Sequence, residues 1–390
     1  MKQIILETLE DVLALHRQFY VEPTQKIVRI LATGTDDDGH PARVRMRKLT
    51  KLFDFAEDEK VKELFAAFLP DAKGREMCLG DAWYLAESAT RINEKLAALK
   101  SSDAALGDVC ERAIERIFGY GHFCAGEHYV LCPSSKCRQK IVYSLSLRPN
   151  EIADSIGKYN KWCAWTYCHR LQNDDRTAVR YCPYCNRSPL TLLSFQNGFD
   201  REELRRSALD HFFPISRYPF LGVSLHNLVP CCDFCNSNLK RGADMVERFL
   251  HHSIVHPYVC DFDSGRYFCW GDLKRKALTC SLKKEDVKVD TCPGSEYVGE
   301  SAGSYDFFHV KACYEQNCAD EIALLPRRLQ KVYSRELEDV QRILRIKPCL
   351  RHTYEKDKEL IFGQSFARHK INSSPLGKLT IDLVNDLERV

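Results

Sequence analysis

Residues 209–236 read LDHFFPISRYPFLGVSLHNLVPCCDFCN, and a second Cys-x-x-Cys, in YCPYCN at 181–186, stands less than thirty residues before Asp210. Cys182/Cys185 and Cys232/Cys235 make two matched pairs with 46 residues between them. Two residues between thiolates let both sulfurs reach one tetrahedral ion from a tight turn. Two such knuckles fill all four positions, so the metal expected here is a structural zinc rather than an open, catalytic one. Ribbon-type sites usually leave about 15–20 residues between their pairs, so the longer interval is expected to be a folded insert. Cys231 offers a third thiol, but its spacing to Cys235 matches the first knuckle poorly. Four unligated core thiols are the bland alternative, and the matched spacing argues against it.

Composition narrows the setting. The 390 residues carry 57 Lys+Arg against 54 Asp+Glu, a net charge of +3. That is too little to argue for nucleic-acid binding by itself. Nineteen cysteines cannot all pair as disulfides, and close-spaced pairs without a leader favour metal in a reducing compartment. The first twenty residues, MKQIILETLEDVLALHRQFY, place acids at helical spacing and lack a small-residue cleavage site. No apolar run approaches the ~20 residues that cross a bilayer. A cytoplasmic protein without membrane contact is expected.

The chain divides into four stretches. Residues 1–125 show apolar residues at three- and four-residue steps in ETLEDVLALHRQF and DEKVKELFAAFL. DAWYLAESATRINEKLAALK adds a helix with Asp81 as its cap, so a helical N-terminal domain is expected. Residues 126–175 form a Cys- and aromatic-rich connection. There Cys132/Cys137 and Cys163/Cys168 leave a second zinc site open, although NKWCAWTYCHRL also reads as a helix packed in a core. Residues 176–250 hold the knuckles and their insert. Residues 251–390 are mixed, then helical, with a long helix expected over 326–347 and Pro326 in its first turn. Between Arg327 and Arg351, eight Lys/Arg stand against three acids, a surplus that either tracks a phosphate backbone or forms a solvated face.

The insert carries the chemistry. SALDHFF reads as a strand ending in Asp210-His211, with Pro214 stopping it. PISRYPFLG is a Pro/Gly/Ser loop, and HNLVPCCDFCN leads from Asn227 into a helix whose first turns hold Cys232, Cys235 and Asn236. Strand, loop and helix are the order expected. Asp210 and Asn236 are hard oxygen donors, suited to Mg²⁺ or Mn²⁺. A neutral His211 can take a proton from water attacking phosphorus, with the ion stabilising charge on the phosphate and leaving oxygens.

These residues, over about 182–242, resemble the HNH (ββα-metal) endonucleases in order, type and spacing. The resemblance implies an α+β chain in which a zinc-stapled ββα-metal nuclease core is embedded between largely helical N- and C-terminal regions. It makes His211 the general base, Asp210 and Asn236 the catalytic-ion ligands, and Asn227 the residue whose amide pins the loop. Cys182, Cys185, Cys232 and Cys235 match the structural zinc set of many members. The nine-residue step from Asn227 to Asn236 is similar to the HNH domain of CRISPR effector nucleases. Many members carry a basic residue shortly after the last ligand, where Lys240 and Arg241 stand here. The flanks HPYVCDFDSGRYF and SSPLGKLTIDLV resemble the HNH proteins that accompany an ATPase in bacterial Septu-type anti-phage systems. The resemblance implies a metal-dependent endonuclease cutting nucleic acid, DNA before RNA or tRNA, in bacterial antiviral defence with an ATPase partner. The competing readings are a non-catalytic zinc-ribbon module that binds nucleic acid or protein, and a structural subunit that has lost catalysis. Residues 174–244 hold nine Lys/Arg against eight Asp/Glu, so the nuclease module itself is not strongly basic.

Overall fold

The computed structural model describes residues 4, 6, 9–46, 58–134, 141–149, 162–197, 201–259, 268–292, 298–334 and 354–388. Its N-terminal part is built from helices α1 (Glu10–His16), α2 (Glu22–Thr33), α3 (Glu59–Ala66), α4 (Ala82–Ser102), α5 (Ala104–Ile117) and α6 (Tyr120–Ala125). Asp81, the expected cap, accepts the backbone N–H of Tyr84, and Asp103 caps α5 in the same way at Leu106. Each cap satisfies an amide that the helix itself leaves open. A sheet of three strands, β1 (Ala42–Met46), β2 (Glu127–Ser134) and β3 (Ile141–Pro149), is ordered β1-β3-β2. β1 runs parallel to β3, so the sheet joins strands from both sides of residue 125.

Helix α7 (Ala164–Asn173) comes next, with Cys163 at its cap, as the pattern of NKWCAWTYCHRL predicts. Cys163 and Cys168 are buried in the core. Cys137 lies outside the described residues, as does the Cys132 side chain, so the second-zinc possibility lies outside them too.

Strands β4 (Leu192–Asn197) and β5 (Arg201–Arg206) form one hairpin. Then come β6 (Ala208–His211) and β7 (Leu228–Cys231), paired antiparallel with Asp210 opposite Val229 and His211 opposite Leu228. A short helix, α8 (Phe234–Lys240), is wound with the wide i→i+5 turn, and α9 (Met245–Leu250) lies just beyond it. The insert is therefore two strands and a helix. The second strand departs from the residue-by-residue reading, in which the chain leads from Asn227 straight into a helix. Pro230 is tolerated on this two-stranded ladder, where only one side of β7 is paired.

The C-terminal part holds the small β8–β9 pair (Phe268–Cys269, Asp290–Thr291) and helices α10 (Lys274–Leu278), α11 (Val298–Phe307), α12 (Val310–Asn317), α13 (Ala319–Tyr333), α14 (Tyr354–Phe362) and α15 (Gly377–Glu388). Pro326 lies inside α13 instead of in a first turn, since the helix begins seven residues earlier than the sequence pattern suggests. The expected basic helix beyond residue 334 lies outside the described residues. The chain is thus a mixed α+β protein with short strand pairs among helices. No helix among the described residues is long and apolar enough to cross a membrane.

Both flanks pack onto the insert. From the N-terminal side, buried His16 donates Nε2–H to Val223 O at 2.7 Å, while its Nδ1 accepts from Trp162 Nε1 at 3.2 Å. The Leu225 N–H donates to Cys78 O and the Ser224 hydroxyl to Met77 O. From the C-terminal side, Tyr314 donates its hydroxyl to Cys185 O at 2.7 Å, and Asn186 donates to Ile371 O at 3.3 Å. The loop and the first knuckle are therefore fixed by opposite ends of the chain.

Candidate functional site

The first knuckle is a tight turn. Asn186 N–H donates to Cys182 O at 2.7 Å, Cys182 N–H donates to Ser188 O at 2.9 Å, and Asn186 itself adopts φ +49°. Asn tolerates this left-handed backbone better than other residues with a β-carbon. The second knuckle repeats the reach: Asn236 N–H donates to Cys232 O at 3.1 Å, and Cys235 N–H donates to Cys232 Sγ at 3.5 Å. The two turns bring the sulfurs of Cys182, Cys185, Cys232 and Cys235 within 4.8 Å of one another, all buried. Hydrogen bonding, first of all from Cys182, draws Cys185 far toward the thiolate and lowers Cys232 to about 6, while burial pushes Cys182 up. Soft thiolates gathered this closely suit a tetrahedral zinc. Cys231 is buried outside the group, with its thiol pushed up by burial.

His211 closes β6. Its Nε2 donates to Gly222 O at 3.0 Å across the loop. A carbonyl only accepts, so in the neutral ring Nε2 carries the hydrogen and Nδ1 keeps the lone pair. The ring meets Tyr120 of α6 edge-on at 4.4 Å, and Arg206 donates to the Tyr120 hydroxyl at 2.8 Å. Burial lowers the His211 pKa to about 4, only partly opposed by the bond to Gly222. The imidazole is thus neutral near pH 7. Gly222 has to be glycine: a β-carbon there would meet Phe118 O at 2.4 Å.

Asn227 is fully buried and holds the loop between the strands. Its Oδ1 accepts the Phe213 N–H at 2.7 Å, and its Nδ2 donates to Phe213 O at 3.0 Å and Leu221 O at 3.1 Å. Leu221 adjoins Gly222, so Asn227 indirectly sets the carbonyl that orients His211. Asn236 is half-buried on α8, one turn beyond Cys232.

Asp210 is where the arrangement departs from the sequence reading. Its Oδ1 accepts from Lys240 Nζ at 2.9 Å and its Oδ2 from the Tyr184 hydroxyl at 2.6 Å. Lys240 also donates to His211 O at 2.7 Å, and the Lys240 and Asp210 side chains are 1% and 4% exposed. As arranged, Asp210 and Asn236 do not fit a divalent ion. The carboxylate charge is already matched, and a second cation there would meet the ammonium at contact distance. Of the two basic residues after the last ligand, Lys240 is turned inward, whereas Arg241 is exposed.

Motif spacing does not single out Tyr184, Gly222 or Tyr120, and it marks Lys240 only as a basic residue after the last ligand, with no hint of its bond to Asp210. Tyr184 lies between the first two cysteines and Lys240 ends the helix of the last one, so only proximity to the knuckles hints at their place beside Asp210. Tyr120 is 91 residues from His211 and leaves no local signal.

A 51-residue stretch is 41% identical to Protein ea31 of Escherichia phage lambda, covering 13% of this chain and 17% of that protein. The chain thus spans about a sixth of the length of the curated relative it matches. No family model and no solved structure matches the chain.

Proposed function

We propose that the chain is an HNH-type endonuclease that hydrolyses phosphodiester bonds of nucleic acid, DNA before RNA, with His211 as the base that activates water. The observation that carries this reading is the orientation of His211. It stands at the end of a strand whose partner strand runs into a cysteine knuckle, with Nε2 spent on Gly222 O and the lone pair left on Nδ1. In this role Nδ1 takes a proton from water, the hydroxide attacks phosphorus, and the bond to the leaving oxygen breaks as that oxygen takes a proton from solvent. A pKa depressed by burial keeps the base unprotonated at neutral pH. The zinc bound by Cys182, Cys185, Cys232 and Cys235 would fix the strand pair and α8 in place without entering the reaction. Half-buried Arg206, beside Tyr120, offers a cation next to the base for a phosphate. With Asp210 closed by Lys240, no step of this reading passes through a second metal. The role in anti-phage defence beside an ATPase rests on the resemblance of the flanking segments.

A zinc-dependent binding module is the second reading, and the Asp210–Lys240 pair favours it because it leaves the carboxylate internally satisfied. Cleavage separates the two. Zinc-loaded protein is assayed on plasmid and on RNA with Mg²⁺ or Mn²⁺, comparing wild type with His211→Ala. A general base predicts a loss of ~10²–10⁴-fold, with zinc content unchanged. Full activity in His211→Ala removes the assignment, and binding without cleavage in both proteins selects the module.

A further inference from the structure

We infer that the cavity between the turn of the first knuckle and helices α13, α14 and α15 is a binding site for a nucleoside phosphate. Its volume is about 470 Å³, within the ~300–1,000 Å³ of small-molecule sites and far more than one buried water needs. Two guanidiniums line it, Arg187 just past the knuckle and Arg328 on α13. Both are half-buried, and neither takes part in a side-chain hydrogen bond or ion pair among the described residues. Two like charges that line one cavity without a counter-charge are relieved by an anion. Guanidinium forks, moreover, match phosphate oxygens in pairs.

The rest of the lining indicates what the phosphate is attached to. Ile322, Leu325, Phe362 and Leu376 are buried and give the cavity an apolar wall with one aromatic ring, a surface suited to a flat base. Gln364 also lines it, and its Nε2 is shut off from solvent with no hydrogen-bond partner. Such a donor is costly to leave unmade. A carboxamide, one donor beside one acceptor, matches the N7 and N6 edge of adenine. Glu321, the one acid of the lining, is exposed; it leaves the cations in surplus and can accept a ribose hydroxyl. Bare phosphate would leave the apolar wall and Gln364 unmet, and an apolar molecule would leave the two cations unmet.

AMP is the probe, titrated into the zinc-loaded full chain by calorimetry. One AMP per chain is expected, with adenosine and inorganic phosphate each weaker because each meets only part of the lining. Arg328→Gln and Arg187→Gln should each weaken AMP by ~10–100-fold, the worth of a hydrogen bond to a charged group. Gln364→Leu should weaken AMP and leave inorganic phosphate unchanged. Ser188 shares the lining and its carbonyl accepts the Cys182 N–H at 2.9 Å, so zinc content is measured alongside. If Arg187→Gln loses zinc or fails to fold, Arg328→Gln, remote from the knuckle in sequence, decides. An AMP affinity unchanged in Arg328→Gln overturns the proposal, as does the absence of heat with millimolar AMP, or inorganic phosphate binding as tightly as AMP. His211→Ala should bind AMP like wild type; loss of binding there would move the nucleotide to the hydrolase centre and overturn the assignment. The inference is independent of the hydrolase reading, since AMP binding by a chain that cuts nothing upholds the one and removes the other.

Discussion

The thiol cluster and the Asp210 cluster are built from the same two pieces of chain. Cys182, Cys185 and Tyr184 share one turn, and Cys235 and Lys240 share one short helix. Both clusters are buried, yet they balance charge in opposite ways. Four sulfurs held within 4.8 Å form a soft donor set that suits a metal cation from outside. Asp210 brings its own cation in Lys240 and its own donor in Tyr184. A soft metal ion would complete the first cluster, whereas the second is already closed by a buried lysine.

Breaking the first cluster is expected to have the largest effect. Chelation, or Cys185→Ser, should abolish cooperative unfolding, because a structural zinc supplies on the order of 10–16 kcal/mol of apparent folding energy in small zinc domains. Zinc content and circular-dichroism melting check this, and a variant that keeps both removes the contrast. In the second cluster Asp210→Ala leaves an ammonium buried and unpaired, at a cost of ~3–5 kcal/mol. Tyr184→Phe removes one hydrogen bond to a charged group, worth ~1.5–3 kcal/mol. Denaturant unfolding should rank the two in that order, and equal losses would mean that the tyrosine rather than the lysine anchors the carboxylate.

Acid should act gradually rather than through the loss of one contact. Burial first of all lowers His16 to about 3 and His211 to about 4, against an ordinary value of 6.5. Between pH 6.5 and 4 the unfolded chain binds more protons than the folded one, so stability rises with pH across that window. The melting temperature should therefore fall on going from about pH 7 to about pH 5, and His16→Gln should flatten the fall. A slope unchanged in that variant would show that His16 is not held neutral.

Much of the local structure is legible in the sequence. Asp81 announces the start of α4 because an Asp before a periodic apolar run satisfies an open amide. The knuckles are legible because two residues between thiolates is a geometric requirement of the ion. The role of Asn227 in the loop is implied by resemblance, and three hydrogen bonds give it a physical basis. Other features are hidden. The strand β7 is hidden, since a four-residue stretch containing Pro230 gives little strand signal until it is seen paired with β6. The length of α13 is obscured because Pro326 reads as a first-turn residue until the upstream helix packs.

By itself the sequence determined that Cys182, Cys185, Cys232 and Cys235 belong together, and that Asp210, His211 and Asn227 lie in the segment between the knuckles. Spacing along the chain is enough for that, since each knuckle closes locally. Only the tertiary structure decided what those side chains face. It set Tyr120 against His211, gave the Gly222 carbonyl to the imidazole, and turned Lys240 inward onto Asp210. The reason is the range of the interactions. A turn or a cap is settled by neighbours a few residues apart, whereas the partner of a buried charge is whichever group the packed core leaves within reach.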